Sequence, residues 1–345
     1  MRHFARLAGF WALLACVLAV ASCRPAAKTP EVVVYTALDS EFAHPVFQLF
    51  ATVTQILPVP KYDTESTKTV GLAEEILAEK ARPRCDVFWN NEILHTLRLD
   101  REGLLDSFEP TQASAYPAKY RSAKGTWHGF AARARVLLVN TEKLAEAERP
   151  KSIHDLADPK WQGRVGLAKP LFGTTATHAA CLFAAWGPEK AEAFFRQLKQ
   201  NVRILGGNKQ VAQQVASGQI LFGLTDTDDA MVEIESGQPV AIIYPDQEPE
   251  GLGTLFIPNT VAILKDCPHP KEARELVDFL ITSVVEEMLS VSPSAQIPLH
   301  AAIHDKARLP GIQGVRPMQV DFVRAGEMWD TSAKFLRDEF TGAGD

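Results

Sequence analysis

The segment EVVVYT at residues 31–36 is the first stretch that decides the fold. Its β-branched run is bounded by a proline and by a polar turn at residues 39–40, which is the pattern of a buried β-strand. Residues 69–80 place apolar side chains on one helical face and acidic ones opposite, and residues 85–90 (CDVFWN) form another short apolar strand. The strand–helix–strand order predicts an α/β fold built on a mostly parallel sheet.

The middle of the chain repeats this order and predicts a second α/β unit. Strands are expected near residues 164–168 and 219–224, and helices near residues 175–186, 188–200, 208–216 and, further on, 272–281. Stretches rich in proline and glycine near residues 245–253 and 309–317 predict irregular connections. We therefore expect two α/β units that are joined by irregular connections.

The charge of the chain limits its partners. Among its 345 residues, 36 lysines and arginines stand against 42 aspartates and glutamates, a formal net charge of −6. A surface of this sign does not attract nucleic acid or anionic lipid by charge, and no basic run argues otherwise. We expect no nucleic-acid partner.

The first residues have the pattern of an export signal. Arg2 and Arg6 precede a short apolar run at residues 9–21, which is too short for a permanent membrane anchor. The sequence VASC at residues 20–23 then fits a bacterial lipobox, with a cleaved signal peptide at 1–22, a lipid on Cys23 and a tether at 23–30. The alternative is an ordinary cleaved signal with a chance cysteine. We expect an exported protein whose lipid holds it to the membrane on the periplasmic or outer face.

The remaining cysteines predict neither a disulfide framework nor a metal site. Cys85, Cys181 and Cys267 are scattered along the chain, and no two are within a few residues of each other. We expect small buried side chains or one incidental pair.

Five segments, in this order along the chain, resemble the ferric-ion-binding branch of periplasmic solute-binding proteins. They are residues 34–36 (VYT), 86–93 (DVFWNNEI), 133–141 (RARVLLVNT), 159–166 (PKWQGRVG) and 262–265 (AILK). The resemblance implies a two-lobed α/β fold of type II, with two crossover strands and a ligand cleft between the lobes. It also implies the ABC permease and ATPase subunits as partners, and no catalysis.

The same resemblance implies interleaved lobes. One lobe is expected to contain residues 31–132 with 258–305, and the other residues 133–257 with 306–345.

The cleft residues depart from the family pattern. Where a ferric binder offers a histidine, an acid and two adjacent tyrosines, this chain places Asp39, Asn91, and Asp228 with Asp229. The family's phenolate coordination of iron is therefore unsupported. Glu92, one residue beyond Asn91, is a candidate for the missing acid.

The run LTDTDDA at residues 224–230 is the most informative departure. Three carboxylates within four residues repel one another unless solvent, hydrogen bonds or a cation offset the charge. A hard ion such as iron(III), manganese, calcium or magnesium suits these oxygens, and so does an ammonium group. The candidate metal ligands are Asp39, Glu92, Asp228 and Asp229. The alternative is that Asp228 or Thr227 caps a helix through Met231 to Glu235.

Two glycine-containing turns are candidates for holding an anion. Gly173, Thr174 and Thr175 precede one predicted helix, and Gly206, Gly207 and Asn208 precede another, so that backbone NH groups can face a phosphate, phosphonate or carboxylate. The alternative is a pair of tight turns and N-caps. The full candidate ligand-binding set is Thr36, Asp39, Asn91, Glu92, Gly173, Thr174, Thr175, Asn208, Asp226, Asp228 and Asp229. Of Arg133 and Arg135, two residues apart on a strand, we expect only one to face the cleft.

Two other function classes compete with transport. The pair Asp226 and Asp228 after an apolar strand resembles the nucleophile loop of magnesium-dependent phosphotransferases, although the motif is short and lies in the middle of the chain. A ligand-sensing module that presents itself to a membrane receptor has the same sequence features as a transport protein. We expect a binding protein and not an enzyme.

Overall fold

The computed structural model describes residues 29–63, 70–309 and 314–341. The predicted signal peptide, the lipobox and the Cys23 anchor lie outside these residues. Within the three ranges, no helix combines the length and the apolar character that a membrane span requires.

The described residues form a mixed α/β structure. The strands are β1 (Glu31–Thr36), β2 (Leu57–Tyr62), β3 (Val87–Asn90), β4 (His128–Asn140), β5 (Val165–Ala168), β6 (Arg203–Leu205), β7 (Phe222–Asp226), β8 (Val240–Ile243) and β9 (Phe256–Ile263). The helices are α1 (Ser40–Thr54), α2 (Val70–Ala78), α3 (Leu94–Arg101), α4 (Gly173–Trp186), α5 (Pro188–Asn201), α6 (Asn208–Ala216), α7 (Thr227–Glu235), α8 (Pro270–Leu280), α9 (Ser283–Val291), α10 (Phe322–Glu327) and α11 (Trp329–Phe340).

The strands follow one path in the order β2-β1-β3-β9-β4-β7-β5-β6, and β8 pairs with β4 on the edge opposite β7. At one end β1, β2 and β3 are parallel to one another, and at the other end β5, β6 and β7 are parallel. Parallel strands joined by helices bury both sheet faces, which explains why β3, β5 and β7 are buried throughout. Each end of the path is therefore one α/β lobe.

Two long antiparallel strands join the lobes. All 13 residues of β4 are buried; its first half pairs with β9, and its second half pairs with β7 and β8. In turn, β9 pairs with β3 in the first lobe. The chain thus crosses between the lobes along β4 and β9, which confirms the predicted two-lobe fold with two crossover strands. The register of this pair shifts between Phe130 and Arg133, which marks a β-bulge where the lobes meet.

The C-terminal helices contact both lobes. Helix α10 packs against α3 in the first lobe and α4 in the second, whereas α11 packs against α4 and α5. The lobe boundaries near residues 132, 258 and 305 stay a prediction.

The predicted strands and helices are confirmed within a few residues of their ends. The residue pattern does not predict several others, which are α1, α3, α9, α10, α11, β2, β6, β8 and β9. Helix α1 contains Pro45, which normally argues against a helix interior. Strand β2 carries Pro58 and Pro60, which are tolerated because β2 is at the edge of the sheet and pairs only with β1.

Candidate functional site

A small polar cavity of about 50 Å³ lies between the lobes. The first lobe contributes Leu38, Asp39 and Asn91, and the crossover strand contributes Arg133. The second lobe contributes the other lining residues, which are Ala168, Lys169, Phe172, Gly173, Thr174, Thr175, Gly206, Gly207, Asn208, Lys209, Asp226, Asp228 and Asp229. A wider cleft of about 930 Å³ shares Leu38, Asp39, Gly206, Gly207 and Lys209 with it. The small cavity is thus the inner end of the interlobe cleft.

Three helices of the second lobe begin at this cavity. Helix α4 starts at Gly173, α6 starts at Asn208, and α7 starts at Thr227. Gly173 has φ +55°, a left-handed conformation that glycine adopts without strain. The first amides of a helix have no partner within it and carry partial positive charge, so these three ends favour a bound anion.

Asp226, the last residue of β7, joins two of these helix ends to the crossover strand. Its Oδ1 accepts a hydrogen bond from Arg135 Nη1 at 2.7 Å, and its Oδ2 accepts from Thr174 Oγ1 at 2.5 Å and from Asn208 Nδ2 at 3.0 Å. Thr175 extends the network, because its hydroxyl accepts from Arg135 Nη2 at 3.2 Å and donates to Asn208 Oδ1 at 3.1 Å. We conclude that Asp226 lines the cavity but is mainly committed to holding α4 and α6 in place.

The ionisation of Asp226 follows from these partners. Burial raises the pKa of this carboxyl, but the charges of Arg135 and Arg133 and the hydrogen bond from Thr174 outweigh burial, so the pKa lies below its ordinary value. A buried carboxylate of this kind persists because it is paired and hydrogen-bonded. Asp226 is therefore charged at neutral pH, and its pairing with Arg135 argues against a role as a phosphotransferase nucleophile.

Both arginines of β4 point toward the aspartates. Arg133 lines the cavity with its Nη1 3.3 Å from Asp228 Oδ2, whereas Arg135 is fully buried behind Asp226. Only Arg133 lines the cavity, as expected, but both arginines are buried and neither lies on the surface. Side chains two residues apart on a strand project from the same face, so both reach the same side.

The aspartate run forms a compact cluster. One carboxylate oxygen from each of Asp226, Asp228 and Asp229 lies within 4.8 Å of the other two. The capping interpretation is wrong, because α7 begins at Thr227 and Asp228 is inside its first turn. Asp226 stands at the N-cap position but makes no side-chain cap, and the Thr227 hydroxyl accepts instead from the Ala134 amide at 3.1 Å.

The first lobe presents fewer groups to the cavity. Asp39 stands at the N-cap position of α1 without capping it, and Asn91 follows β3. Thr36 is fully buried and does not line the cavity; its hydroxyl accepts from the Leu38 amide at 3.2 Å. The expected ligand contact of Thr36 is therefore replaced by a role in shaping the loop that carries Asp39.

Glu92 also has a different role from the predicted metal ligand. Its Oε1 accepts from Asn90 Nδ2 at 2.6 Å and from the His95 amide at 2.9 Å. Its Oε2 accepts from the Leu94 amide at 2.5 Å and from Thr177 Oγ1 at 3.0 Å. With four donors on a fully buried carboxylate, Glu92 caps α3 and ties it to α4 of the other lobe. We leave it out of the ligand set.

Sequence reasoning did not include two lysines and one aromatic residue that line the cavity. Lys169 directly follows β5, and Lys209 lies in the first turn of α6. Phe172 precedes the left-handed Gly173. A cation directly after a buried strand or beside a glycine turn is the signal that points to such residues.

The fold and the cleft define a two-lobed solute-binding protein of type II, and comparison with known proteins agrees. The model of the bacterial extracellular solute-binding protein family matches residues 96–323. The chain therefore belongs to that family, and its function is to bind a solute outside the cytoplasm.

Named relatives are similar to this chain in sequence, and solved structures are similar to it in fold. The major ferric iron-binding protein of Neisseria meningitidis serogroup A is 26% identical over 324 residues, covering 92% of this chain and 94% of that protein. The iron-bound structure of HitA from Pseudomonas aeruginosa has a TM-score of 0.81 at 26% identity, covering 90% of this chain and 99% of that one. AfuA of Actinobacillus pleuropneumoniae, solved with fructose-6-phosphate, has a TM-score of 0.76 at 20% identity, covering 91% and 98%, and supports the fold alone.

Proposed function

We propose that this protein captures iron(III), or a cation of similar hardness, together with a small oxyanion such as phosphate. The cavity that carries this proposal is lined by aspartates from both lobes and by the amino ends of three helices. Carboxylate oxygens suit hard cations, and helix amino ends suit oxyanions. The names of the Neisseria and Pseudomonas relatives support iron as the cation.

The charge in the cavity explains why the cation needs the anion. Four aspartates line the cavity, but Arg133 and Arg135 offset the charges of Asp228 and Asp226, and Lys169 and Lys209 add positive charge. A trivalent cation alone would face these cations without enough negative charge around it. An oxyanion between the cation and the helix ends supplies that charge. It replaces the negative charge of the two adjacent tyrosines that a ferric binder has at the positions of Asp228 and Asp229.

A ligand that combines both charges is the second candidate. An aminophosphonate such as 2-aminoethylphosphonate places its phosphonate at the helix ends and its ammonium at Asp39, Asp228 and Asp229. The observation that favours it is the pairing of two aspartates with arginines, because an ammonium carries one positive charge and not three.

Calorimetry separates these candidates. Metal-free protein is titrated with ferric citrate in phosphate buffer, with ferric citrate in phosphate-free buffer, and with 2-aminoethylphosphonate. We expect binding of iron that strengthens with phosphate and no heat from the aminophosphonate. Binding of 2-aminoethylphosphonate without binding of iron would reject the first candidate in favour of the second.

We also propose that the protein delivers its ligand to an ABC permease and its ATPase while a lipid on Cys23 holds it at the membrane. The family description supports an extracellular solute-binding role, and the lipobox at residues 20–23 supports the anchor. Cells expressing the protein are labelled with a fatty-acid analogue. We expect labelling of wild type and none of Cys23→Ala, and continued labelling of the variant would disprove the anchor.

A further inference from the structure

A buried carboxylate outside the cavity holds the crossover strand. Glu286 in α9 is 0% exposed and accepts three backbone hydrogen bonds. The donors are the amides of Ala131 at 2.5 Å, Leu299 at 2.6 Å and His300 at 2.7 Å. One buried side chain thus joins α9, the segment at 299–300 and β4.

The contact with Ala131 falls on the bulge of β4. Ala131 has φ +42°, a left-handed conformation that is unfavourable for an L-residue with a Cβ. Its neighbour Ala132 exchanges two hydrogen bonds with Ile297, at 2.8 and 2.7 Å. The charged acceptor of Glu286 offsets the cost at Ala131, because hydrogen bonds to an ionised group are stronger than neutral ones.

The bulge is connected to the ligand cavity through polar contacts. The carbonyl of Ala131 accepts a hydrogen bond from Asn259 Nδ2 on the other crossover strand. Asn259 Oδ1 lies 3.5 Å from Arg133 Nη2, and Arg133 Nη1 lies 3.3 Å from Asp228 Oδ2. The path from Glu286 to the cavity therefore runs through both strands that join the lobes.

We propose that Glu286 is a positioning residue, which fixes the bulge of β4 and, through it, the guanidinium of Arg133, so that the ionisation of Glu286 controls ligand binding. The charged form holds the Ala131 amide strongly. The neutral form holds it weakly and lets the bulge and Arg133 move.

Glu286 changes its ionisation near neutral pH. Burial raises the pKa of Glu286 to about 7, although its three backbone donors oppose the shift. Of the titratable groups around it, Tyr116 has a pKa raised by burial and by Glu286, and His300 has a pKa lowered by burial and by His304. The lining of the cavity and of the wider cleft, among described residues, includes no histidine.

The sign of the effect follows from this raised pKa. Between the unfolded value of about 4.3 and about 7 the folded protein binds the proton more tightly than the unfolded chain, so the contribution of Glu286 to folding stability falls as pH rises through that window. The hold on Ala131 changes in the opposite direction, since it strengthens as Glu286 loses its proton. Global stability and local protection at Ala131 therefore have opposite pH trends.

Hydrogen exchange tests the proposal without any ligand. Protection factors of the Ala131 and Leu299 amides are measured from pH 5.5 to 8.5 in wild type, Glu286→Gln and Glu287→Gln. Glu287 is the matched control, because it is the next residue of α9 but its side chain is 43% exposed and pairs with Lys306. We expect protection of Ala131 to rise about tenfold through pH 7 in wild type and in the control, and to stay flat in Glu286→Gln.

Titration with ferric citrate in phosphate buffer over the same pH range tests the consequence for binding, and this arm rests on the proposed function. Affinity should rise severalfold through pH 7 in wild type and lose that step in Glu286→Gln. Adding Ala131→Gly, which tolerates positive φ, should recover part of the affinity. Equal protection profiles for wild type and Glu286→Gln would overturn the proposal, whereas absence of iron binding with normal profiles would reject only the proposed ligand. If Glu286→Gln does not fold, a wild-type Ala131 protection profile that is flat through pH 7 overturns it equally.

Discussion

The two walls of the cleft are built differently. The second lobe presents three helix ends, and the Asp226–Arg135 pair with its threonine and asparagine partners holds two of them, those of α4 and α6, in one network. The first lobe presents mainly Asp39 and Asn91 on loops that follow strands. The difference suggests that the second lobe forms the binding surface before the ligand arrives, whereas the first lobe closes over it. Ligand then favours the closed population by its differential affinity.

The largest expected effect comes from breaking the network of the second lobe. Asp226→Asn leaves the buried guanidinium of Arg135 without its counter-charge, which should lower the free energy of unfolding by about 3 kcal/mol. Urea unfolding followed by circular dichroism measures this. Asp229→Asn, on the same cavity wall, should change stability by less than about 1 kcal/mol. An equally small loss in both variants would show that the network is not the framework of this wall.

The pH dependence of this pair has a definite sign. Because the folded-state pKa of Asp226 is lowered, its contribution to stability is present above about pH 4 and is lost as the pH falls through the folded value. Wild type should therefore lose stability in acid more steeply than Asp226→Asn. Parallel curves for the two proteins would contradict the charged pair.

The next effect concerns the aspartates that line the cavity. Replacing both Asp228 and Asp229 by Asn should weaken binding of iron(III) with phosphate at least about tenfold, or about 1.4 kcal/mol, because two hard anionic ligands are lost. Folding should be weakened less than in Asp226→Asn, because the loss of Asp228 takes one counter-charge from the buried Arg133, whereas Asp226 and Asp39 remain near it. Calorimetric titration tests this, and unchanged affinity would remove these residues from the site.

A smaller effect should come from the first lobe. Asp39→Asn should weaken binding about fivefold and reduce the compaction on ligand addition, because Asp39 is the aspartate that the first lobe brings to the cavity. Small-angle scattering with and without ferric citrate and phosphate measures the compaction. Full compaction at unchanged affinity would show that the first lobe closes without help from Asp39.

The smallest effect should come from an exposed cation. Lys209→Met should weaken binding of the oxyanion about twofold, because Lys209 is exposed and water screens its charge. The loss should disappear at high salt. A salt-independent loss would indicate packing and not charge.

The sequence predicts the secondary structure of this protein better than its long-range side-chain contacts. Local patterns predict the strands β1, β3, β5 and β7 and about half of the described helices, and the resemblance places Asp39, Asn91, Asp228 and Asp229 at the cavity. Neither the local patterns nor the resemblance shows that four hydrogen-bond donors occupy the carboxylate of Glu92. One of these donors, Thr177, belongs to the other lobe and is distant in sequence. Local patterns also do not show that arginines neutralise the aspartates, because Arg135 lies beside Asp226 only through the register of β4 and β7. Long-range pairing decides which carboxylates remain available for a ligand.

The iron content of the loaded protein tests the central claim most directly. Wild type and the Asp228→Asn, Asp229→Asn double variant are loaded with ferric citrate in phosphate buffer, passed through gel filtration and analysed for iron and phosphorus by mass spectrometry. We expect about one iron and one phosphate per wild-type molecule, because carboxylates and helix amino ends bind the pair together, and little of either in the double variant. Wild type that retains no iron, or a double variant that retains as much as wild type, would contradict the account.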